Sequence, residues 1–222
     1  MPATEEAHIP RPKTRVSSLS ASPRSSVEWS WLGRVHRFCV SLALAVALLS
    51  APLAAEQVQI PARLQAALVA KVAAYDTHFA ARANGHALVL IVVAGGKAES
   101  ERFGEEIRAE LSVQPKIGGV SHSEEIVRFT TAADLARLVR ERRAALLYIA
   151  PALSEDAPLI ASALTGVDVL SVAALAGDVA QRIVLGFARE SGRPRLLVNL
   201  EQARRQNVAF NPDLLRLVRV IQ

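Results

Sequence analysis

The sequence predicts an α/β fold: one three-layer domain with a mostly parallel sheet, flanked by helices and ending in a C-terminal antiparallel hairpin. Continuous apolar runs of strand length recur along the chain, as expected of strands buried on both faces of a parallel sheet. Segments with helical spacing of apolar residues alternate with these runs, and such alternation implies crossover connections. The length of 222 residues and the 51% apolar composition allow a substantial core and exclude a disordered chain.

The first 55 residues are typical of a secretory signal peptide with a long basic region. Their apolar segment, Phe38–Leu49, is about 12 residues long, which is shorter than the roughly 20 residues of a membrane span. Two arginines precede this segment and small residues follow it, so we expect cleavage after Ala55. An uncleaved N-terminal anchor is the alternative. The expected product is a periplasmic α/β domain over residues 56–222.

The predicted domain begins with a helix over about residues 58–82 and continues as strand–helix units. Four strands are predicted, over residues 86–96, 125–129, 144–151 and 167–172. Four helices are predicted, over residues 97–111, 132–143, 154–164 and 173–179, the third of them capped by Ser154. Thr131 stands at an N-cap position with Asp134 three residues later, which resembles a capping box.

The last forty residues predict a hairpin followed by two helices. Two strand-like runs between residues 180 and 200 surround Glu190–Arg193, which has the composition of a tight turn. Asn199 follows the second run, and its amide is expected to bind backbone groups of the next turn. The predicted helices are residues 201–206 and 212–222.

The final predicted helix should close the fold. Asn211 is its expected cap, with a proline at the first helical position. Three apolar residues share one face at helical spacing and should pack on the sheet: Leu214, Val218 and Ile221. Arg216 and Arg219 should face outward near the negative end of the helix dipole.

The formal charge of +5 does not indicate a nucleic-acid-binding protein. Residues 1–55 hold six basic and three acidic residues, so the rest of the chain holds 20 basic against 18 acidic residues. The arginines are scattered along predicted helices, where charges usually form a solvated face. We therefore expect no nucleic-acid partner.

Neither an enzyme motif nor a metal motif is present in the sequence. The only cysteine, Cys39, lies in the leader, and the histidines at 78, 86 and 122 lack the spacing of a helical metal site. Residues 121–125, "SHSEE", hold Ser, His and Glu side by side and are predicted to be a polar loop, because catalytic triads assemble in space. We expect no catalytic residues, no cofactor and no metal.

Two stretches admit both a structural and a functional interpretation. "AGGKAES", residues 94–100, joins a strand to a helix, where anions can bind, but it matches no phosphate-binding motif and is better explained as a plain turn. In "YDTHFAAR", Tyr75 and Phe79 are either a core face or an exposed aromatic surface for a partner.

The C-terminal stretch "GRPRLLVNLEQARRQNVAFNPDLLRLVRVI" is the most specific signal in the chain. It resembles the C-terminal signature of the YfiR/HmsC family of periplasmic proteins. The matching positions are Asn199, Leu200, Ala203, Arg204, Phe210, Leu214, Leu215, Arg216, Leu217, Val218, Arg219 and Val220. The order of the earlier segments also fits, so the resemblance spans most of residues 58–222.

The resemblance implies a regulatory binding protein and not an enzyme. The best-understood family member binds the periplasmic domain of an inner-membrane diguanylate cyclase and represses it, which lowers cyclic di-GMP and biofilm formation. The implied partner is such a membrane signalling protein, with a homodimer as a further expectation. Redox control through cysteine pairs is not expected, because residues 56–222 contain no cysteine. A single-lobe periplasmic protein for small-ligand binding or transport is the alternative.

Overall fold

The computed structural model describes residues 60–221, and seven strands in this range form one sheet. The strands are β1 (His86–Ala94), β2 (Ser121–Phe129), β3 (Leu146–Ile149), β4 (Leu170–Ala173), β5 (Leu185–Glu190), β6 (Arg193–Asn199) and β7 (Arg219–Ile221). Their order is β2-β1-β3-β4-β5-β6-β7, and all neighbours are parallel except the antiparallel pair β5–β6. The predicted α/β class, the mostly parallel sheet and the C-terminal hairpin are thus confirmed.

Helices cover both faces of the sheet. They are α1 (Ala62–Val72), α2 (Phe79–Ala83), α3 (Ala98–Ser112), α4 (Ala132–Arg142), α5 (Ala157–Ala163), α6 (Ala176–Ala180), α7 (Leu200–Arg205) and α8 (Pro212–Leu215). One core layer lies between the sheet and α1, α2 and α3, and the other lies between the sheet and α4 and α5. In α3, Phe103, Ile107 and Leu111 lie on the face towards the sheet and are all buried.

Strand β1 shows why its sequence is continuously apolar. Ile91 and Val93 belong to the core layer beneath α1 and α3, whereas Leu90 and Val92 belong to the layer beneath α4 and α5. Successive side chains of a strand point to opposite faces, so a central strand needs apolar residues at every position.

Two linked, buried hydrogen bonds join α1 to this sheet. The hydroxyl of Tyr148, on β3, donates to Oε1 of Gln65 at 2.5 Å, and Nε2 of Gln65 donates to the carbonyl of Ile60 at 2.7 Å. All three residues are buried, and desolvation raises the pKa of Tyr148 well above its usual value. These hydrogen bonds satisfy polar atoms that would otherwise be costly to bury.

The predicted helix over residues 58–82 is interrupted. Helix α1 ends at Val72, a 3₁₀ turn follows over Ala73–Tyr75, and Asp76 has an extended backbone before α2 begins. The apolar spacing therefore predicts each of the two helices correctly, but the prediction of one continuous helix is wrong. The helix is interrupted because Asp76 contacts the C-terminal part of the chain.

Residues 121–125 are part of β2 and not a loop, so the predicted strand began four residues too late. The run of polar residues there reflects an edge strand. Its residues are half-buried or exposed, because β2 has a neighbour on one side alone within the described residues.

The last predicted helix is mostly wrong. Helix α8 ends at Leu215, and the chain then forms β7, which pairs in parallel with β6. The Asn211 cap is present, with its Oδ1 accepting from the backbone N–H of Asp213 at 2.9 Å. Leu214 is buried as expected, whereas Val218 and Ile221 are half-buried and no longer share a helix face. Pairing with the free edge of β6 outweighed the local helical spacing.

Thr131 caps α4 as predicted, and its Oγ1 accepts from the backbone N–H of Asp134 at 3.1 Å. Ser154 does not cap α5, which begins at Ala157 after Asp156. The predicted signal peptide lies outside the described residues. Among residues 60–221, each helix is too short or too polar to cross a bilayer.

Candidate functional site

The C-terminal signature docks on the segment between α1 and α2 through Asp76, which is 3% exposed. Oδ1 of Asp76 accepts from the backbone N–H groups of His78 at 3.1 Å and Ala209 at 3.0 Å. Its Oδ2 accepts from Nη1 of Arg82 at 2.6 Å. One carboxylate therefore binds its own turn, the next helix and the distant signature.

Backbone hydrogen bonds reinforce this junction. The N–H of Thr77 donates to the carbonyl of Ala209 at 2.9 Å, and the N–H of Asn211 donates to the carbonyl of Tyr75 at 2.8 Å. Asp76 and Phe210 form an isolated antiparallel bridge between them. The signature is thus fixed to the N-terminal helices by a short ladder, which local sequence patterns do not reveal.

Arg82 extends the junction towards the sheet. Its side chain is 3% exposed, and its Nε donates to Oδ1 of Asp168 at 2.6 Å in the segment before β4. Its Nη2 donates to the carbonyl of Asn207 at 3.0 Å. Nη1, the third nitrogen, donates to Asp76, so three separate parts of the chain hold the guanidinium. Its planar group of N–H donors can bind several acceptors at once.

The signature residues differ in what they contact. Asn199 caps α7, with its Oδ1 accepting from the N–H of Gln202 at 2.9 Å and its Nδ2 donating to the carbonyl of Val179 at 3.4 Å. Among the apolar positions, Ala203 and Leu214 are buried. Half-buried signature residues are Leu200, Phe210, Leu215 and Val218, and the exposed ones are Arg204, Arg216, Leu217, Arg219 and Val220.

The predicted aromatic surface is not supported at Phe79. This side chain is 1% exposed and packs under Gly118, where an added Cβ would stand 2.3 Å from its ring. Tyr75 is half-buried against the same core. Phe79 is therefore a core residue, because its ring fills the space between α2 and the loop before β2.

An open cavity of about 710 Å³ lies beside the start of β1, next to Arg82. Its apolar wall is formed by Leu88, Val139, Ala144 and Val167. Its polar lining is formed by Arg82, Asn84, His86, Arg140, Arg142, Arg143 and Asp168. These residues come from α2, β1, α4 and the segment before β4, which meet at the amino edge of the parallel sheet.

The cavity carries excess positive charge. Arg142 pairs with Glu125 at 2.5 Å and Arg82 is held by its two aspartates. Arg140 and Arg143 contact no carboxylate within ion-pair distance among residues 60–221. Guanidinium groups bind carboxylates and phosphates through paired hydrogen bonds, so this lining suits an anion with an apolar body. Sequence reasoning missed the cavity, because the arginines at the end of α4 resemble a solvated helix face.

The three histidines are engaged in separate structural contacts. Nδ1 of His78 contacts the carbonyl of Asn207 at 2.8 Å, and His122 contacts both Glu124 and the carbonyl of Gln114. The ring nitrogens of His86 contact two hydroxyls on β2, those of Ser121 at 3.2 Å and Ser123 at 2.9 Å. Within the described range, no group of three metal-ligating side chains is assembled.

The turn between β1 and α3 uses its own polar side chains. Oγ of Ser100 accepts from the N–H of Ala94 at 2.9 Å, and Oε1 of Glu101 accepts from the N–H of Gly96 at 3.3 Å. Two N–H groups of the turn are therefore occupied from within, and Glu99 and Glu101 place negative charge in the first turn of α3, which supports the plain-turn interpretation.

Asp178, on α6, is an unusual buried acid with 1% exposure. Neither of its carboxylate oxygens meets a hydrogen-bond partner among the described residues. Burial raises the pKa of Asp178, and the neighbouring Ser154 hydroxyl only partly opposes that shift. The carboxyl group thus favours its neutral form more than an exposed aspartate does.

A mostly parallel sheet, a docked C-terminal signature and an open arginine-lined cavity define the architecture of this α/β protein. The chain belongs to the YfiR/HmsC-like family, whose model matches residues 62–219. No curated protein sequence matches it significantly.

Two solved structures share the fold. A conserved domain protein from Vibrio cholerae O1 biovar El Tor has a TM-score of 0.52 at 11% identity, over 73% of this chain and 60% of that one. The ABC domain from Streptococcus pneumonia, solved in complex with L-Trp, has a TM-score of 0.53 at 10% identity, over 72% and 62%. This chain spans about three fifths of each, and at such identity the likeness shows the α/β fold alone.

Proposed function

We propose that the protein is an exported regulator that acts in the periplasm by binding the periplasmic domain of an inner-membrane signalling protein, most simply a diguanylate cyclase. Through that contact it would restrain cyclic di-GMP synthesis and biofilm formation. The observation that carries the proposal is membership of the YfiR/HmsC-like family over residues 62–219, almost the whole described chain.

The geometry supports a binding role. The family signature is built into the fold through Asp76 and Arg82, so it serves the scaffold. The Ser–His contacts around His86 have hydroxyls on both ring nitrogens, whereas a catalytic histidine needs one nitrogen held by an orienting group such as a carboxylate. Within residues 60–221, accessible features that could bind a partner include the arginine-lined cavity and the open edge of the sheet at β2.

Two measurements test this function. The full chain, tagged at its C-terminus and expressed at native level, should be recovered from the periplasmic fraction with Glu56 as its first residue, and should capture a membrane cyclase from detergent-solubilised membranes. Deleting the gene should raise cellular cyclic di-GMP. Capture of no signalling protein together with unchanged cyclic di-GMP would overturn the proposal.

The arginine-lined cavity favours a second candidate function, the binding of a small organic anion. Its volume of about 710 Å³ lies in the range of small-ligand sites. A panel of aromatic and aliphatic carboxylates should raise the melting temperature, and Arg140→Ala with Arg143→Ala should abolish the rise. Arg108→Ala is the matched control, because Arg108 is an exposed helix arginine paired with Glu105 outside the cavity. Equal shifts in both variants would exclude the cavity as the site.

A further inference from the structure

The arginine-lined cavity also contains a half-exposed carboxylate. Asp168 lines the cavity from the segment before β4, and its side chain is 50% exposed. Its Oδ1 accepts from Nε of Arg82 at 2.6 Å, whereas its Oδ2 has no hydrogen-bond donor among residues 60–221. An acceptor oxygen is therefore left on an accessible side chain of the cavity wall.

Arg82 does not neutralise Asp168 completely. The same guanidinium donates through Nη1 to Oδ2 of Asp76 at 2.6 Å, and the Asp76 side chain is 0% exposed. Two carboxylates thus share one guanidinium, so these three residues carry one negative charge in excess. Because Asp76 is sealed from solvent, the excess charge reaches the cavity at Asp168.

The opposite charge in the cavity lies on α4 and just after it. Arg140 and Arg143 line the same cavity, and neither forms an ion pair with Asp168, whose ion-pair partner within the described residues is Arg82 alone. The apolar wall of the cavity completes this lining. The cavity therefore presents two unpaired cations, one carboxylate and an apolar wall, with no ion pair joining the two kinds of charge.

A ligand that matches this lining carries both charges. Guanidinium groups bind a carboxylate through paired hydrogen bonds, and an ammonium group has three N–H donors for a carboxylate such as that of Asp168. A ligand with a carboxylate alone would be attracted by Arg140 and Arg143 but repelled by Asp168. The volume of about 710 Å³ leaves room for an apolar body as well.

We propose that the arginine-lined cavity binds a zwitterionic ligand, with a carboxylate held by Arg140 and Arg143, an ammonium group held by Asp168, and an apolar body between the two. The inference rests on the second candidate function, anion binding in the cavity, and adds the class of ligand. Asp168 is the residue that selects the ligand, because the two arginines attract any carboxylate that fits.

Matched pairs of small molecules test the proposal by isothermal titration calorimetry of the full chain at pH 7. The pairs are 6-aminohexanoate with hexanoate and 4-(aminomethyl)benzoate with 4-methylbenzoate, whose members differ chiefly in the ammonium group. The ammonium-bearing member of at least one pair should bind about three- to tenfold more tightly than its plain partner, as expected of a charged hydrogen bond at a half-exposed site.

Asp168→Asn removes the charge and keeps the contact with α2, because the amide oxygen can still accept from Nε of Arg82. This variant should lose the preference for the ammonium-bearing ligand and bind the plain carboxylates more tightly than wild type does. A merely structural role of Asp168 would weaken both ligands alike. Asp213→Asn is the matched control, since Asp213 is an exposed aspartate outside the cavity.

Failure of this inference can be distinguished from failure of anion binding itself. If no member of either pair bound, anion binding in the cavity would be wrong and the inference with it. If the plain carboxylates bound at least as tightly as their ammonium-bearing partners, or if Asp168→Asn left the ratio unchanged, the zwitterionic ligand alone would be wrong. Arg140→Ala with Arg143→Ala should abolish binding of both members, and retained binding would place the carboxylate elsewhere and overturn the proposal.

Discussion

Asp76→Ala removes the carboxylate that fixes the C-terminal signature to the N-terminal helices. Three hydrogen bonds disappear, to the N–H of His78, the N–H of Ala209 and the guanidinium of Arg82. The Arg82 side chain is 3% exposed and would keep only Asp168 as a carboxylate partner. The Asp168 side chain is half exposed to water.

The expected cost follows from these contacts. Removing one partner of a buried ion pair typically costs 3–5 kcal/mol, because the remaining charge stays desolvated. We expect a loss of about 3–5 kcal/mol in the free energy of unfolding. For a domain of this size that corresponds to a fall in melting temperature of roughly 6–20 °C. Asp76→Asn should lose less, since its amide oxygen can still accept one hydrogen bond from the backbone.

Urea unfolding followed by far-UV circular dichroism measures this difference. Glu105→Ala is the matched control, since Glu105 forms an exposed ion pair with Arg108 and should change stability by no more than about 0.5 kcal/mol. A loss of less than 1 kcal/mol for Asp76→Ala would show that the junction does not hold the signature in place, and the reasoning would fail.

Three further predictions concern packing and pH. Leu214→Ala should cost about 2–5 kcal/mol because this side chain is 2% exposed, whereas Leu217→Ala, at 63% exposure, should cost almost nothing in the same urea assay. Gly104→Ala should cost about 1–3 kcal/mol, since its Cβ would stand 2.4 Å from Cγ1 of Val93, and the cost should shrink in a Val93→Ala background. Asp178→Asn should stabilise the protein at pH 7 and not at pH 3 in melts across that range. Because the fold raises the pKa of Asp178 above its ordinary 3.8, wild-type stability falls as pH rises through that window, and the amide does not titrate.

Each of these has a contrary outcome. Equal losses in the free energy of unfolding for the two leucine variants would show that Leu214 is not more buried than Leu217. Additive losses at positions 104 and 93 would mean that the two side chains do not compete for one space. A constant difference between Asp178→Asn and wild type from pH 3 to pH 7 would show that this carboxyl group does not titrate with a raised pKa.

Local sequence patterns predicted strands and helices correctly where burial of one or both faces alone sets the pattern. β1 is apolar at every position because both of its faces are covered, and α3 repeats its apolar residues because one side of the helix is covered. The capping pair Thr131 and Asp134 acts within four residues, so it too was predictable. The family signature was recognisable for the same reason, since its members lie close together in sequence.

Patterns failed where a distant partner decided the outcome. Residues 216–221 have helical spacing, yet Arg219–Ile221 pair with β6. Asp76 interrupts a helical pattern because its partners are the N–H of Ala209 and the side chain of Arg82. The arginine-lined cavity could not be predicted, because its walls come from segments up to 87 positions apart in sequence, from Ala81 to Asp168.

The sequence by itself determined the alternation of strands and helices, the antiparallel hairpin and membership of a family, because each depends on local burial or on neighbouring residues. Only the tertiary structure decided the strand order, the docking of the signature by Asp76, the open edge of β2 and the arginine-lined cavity. The physical reason is that hydrogen bonds and ion pairs between remote segments are specified by where the chain returns in space. No local period in the sequence records that return.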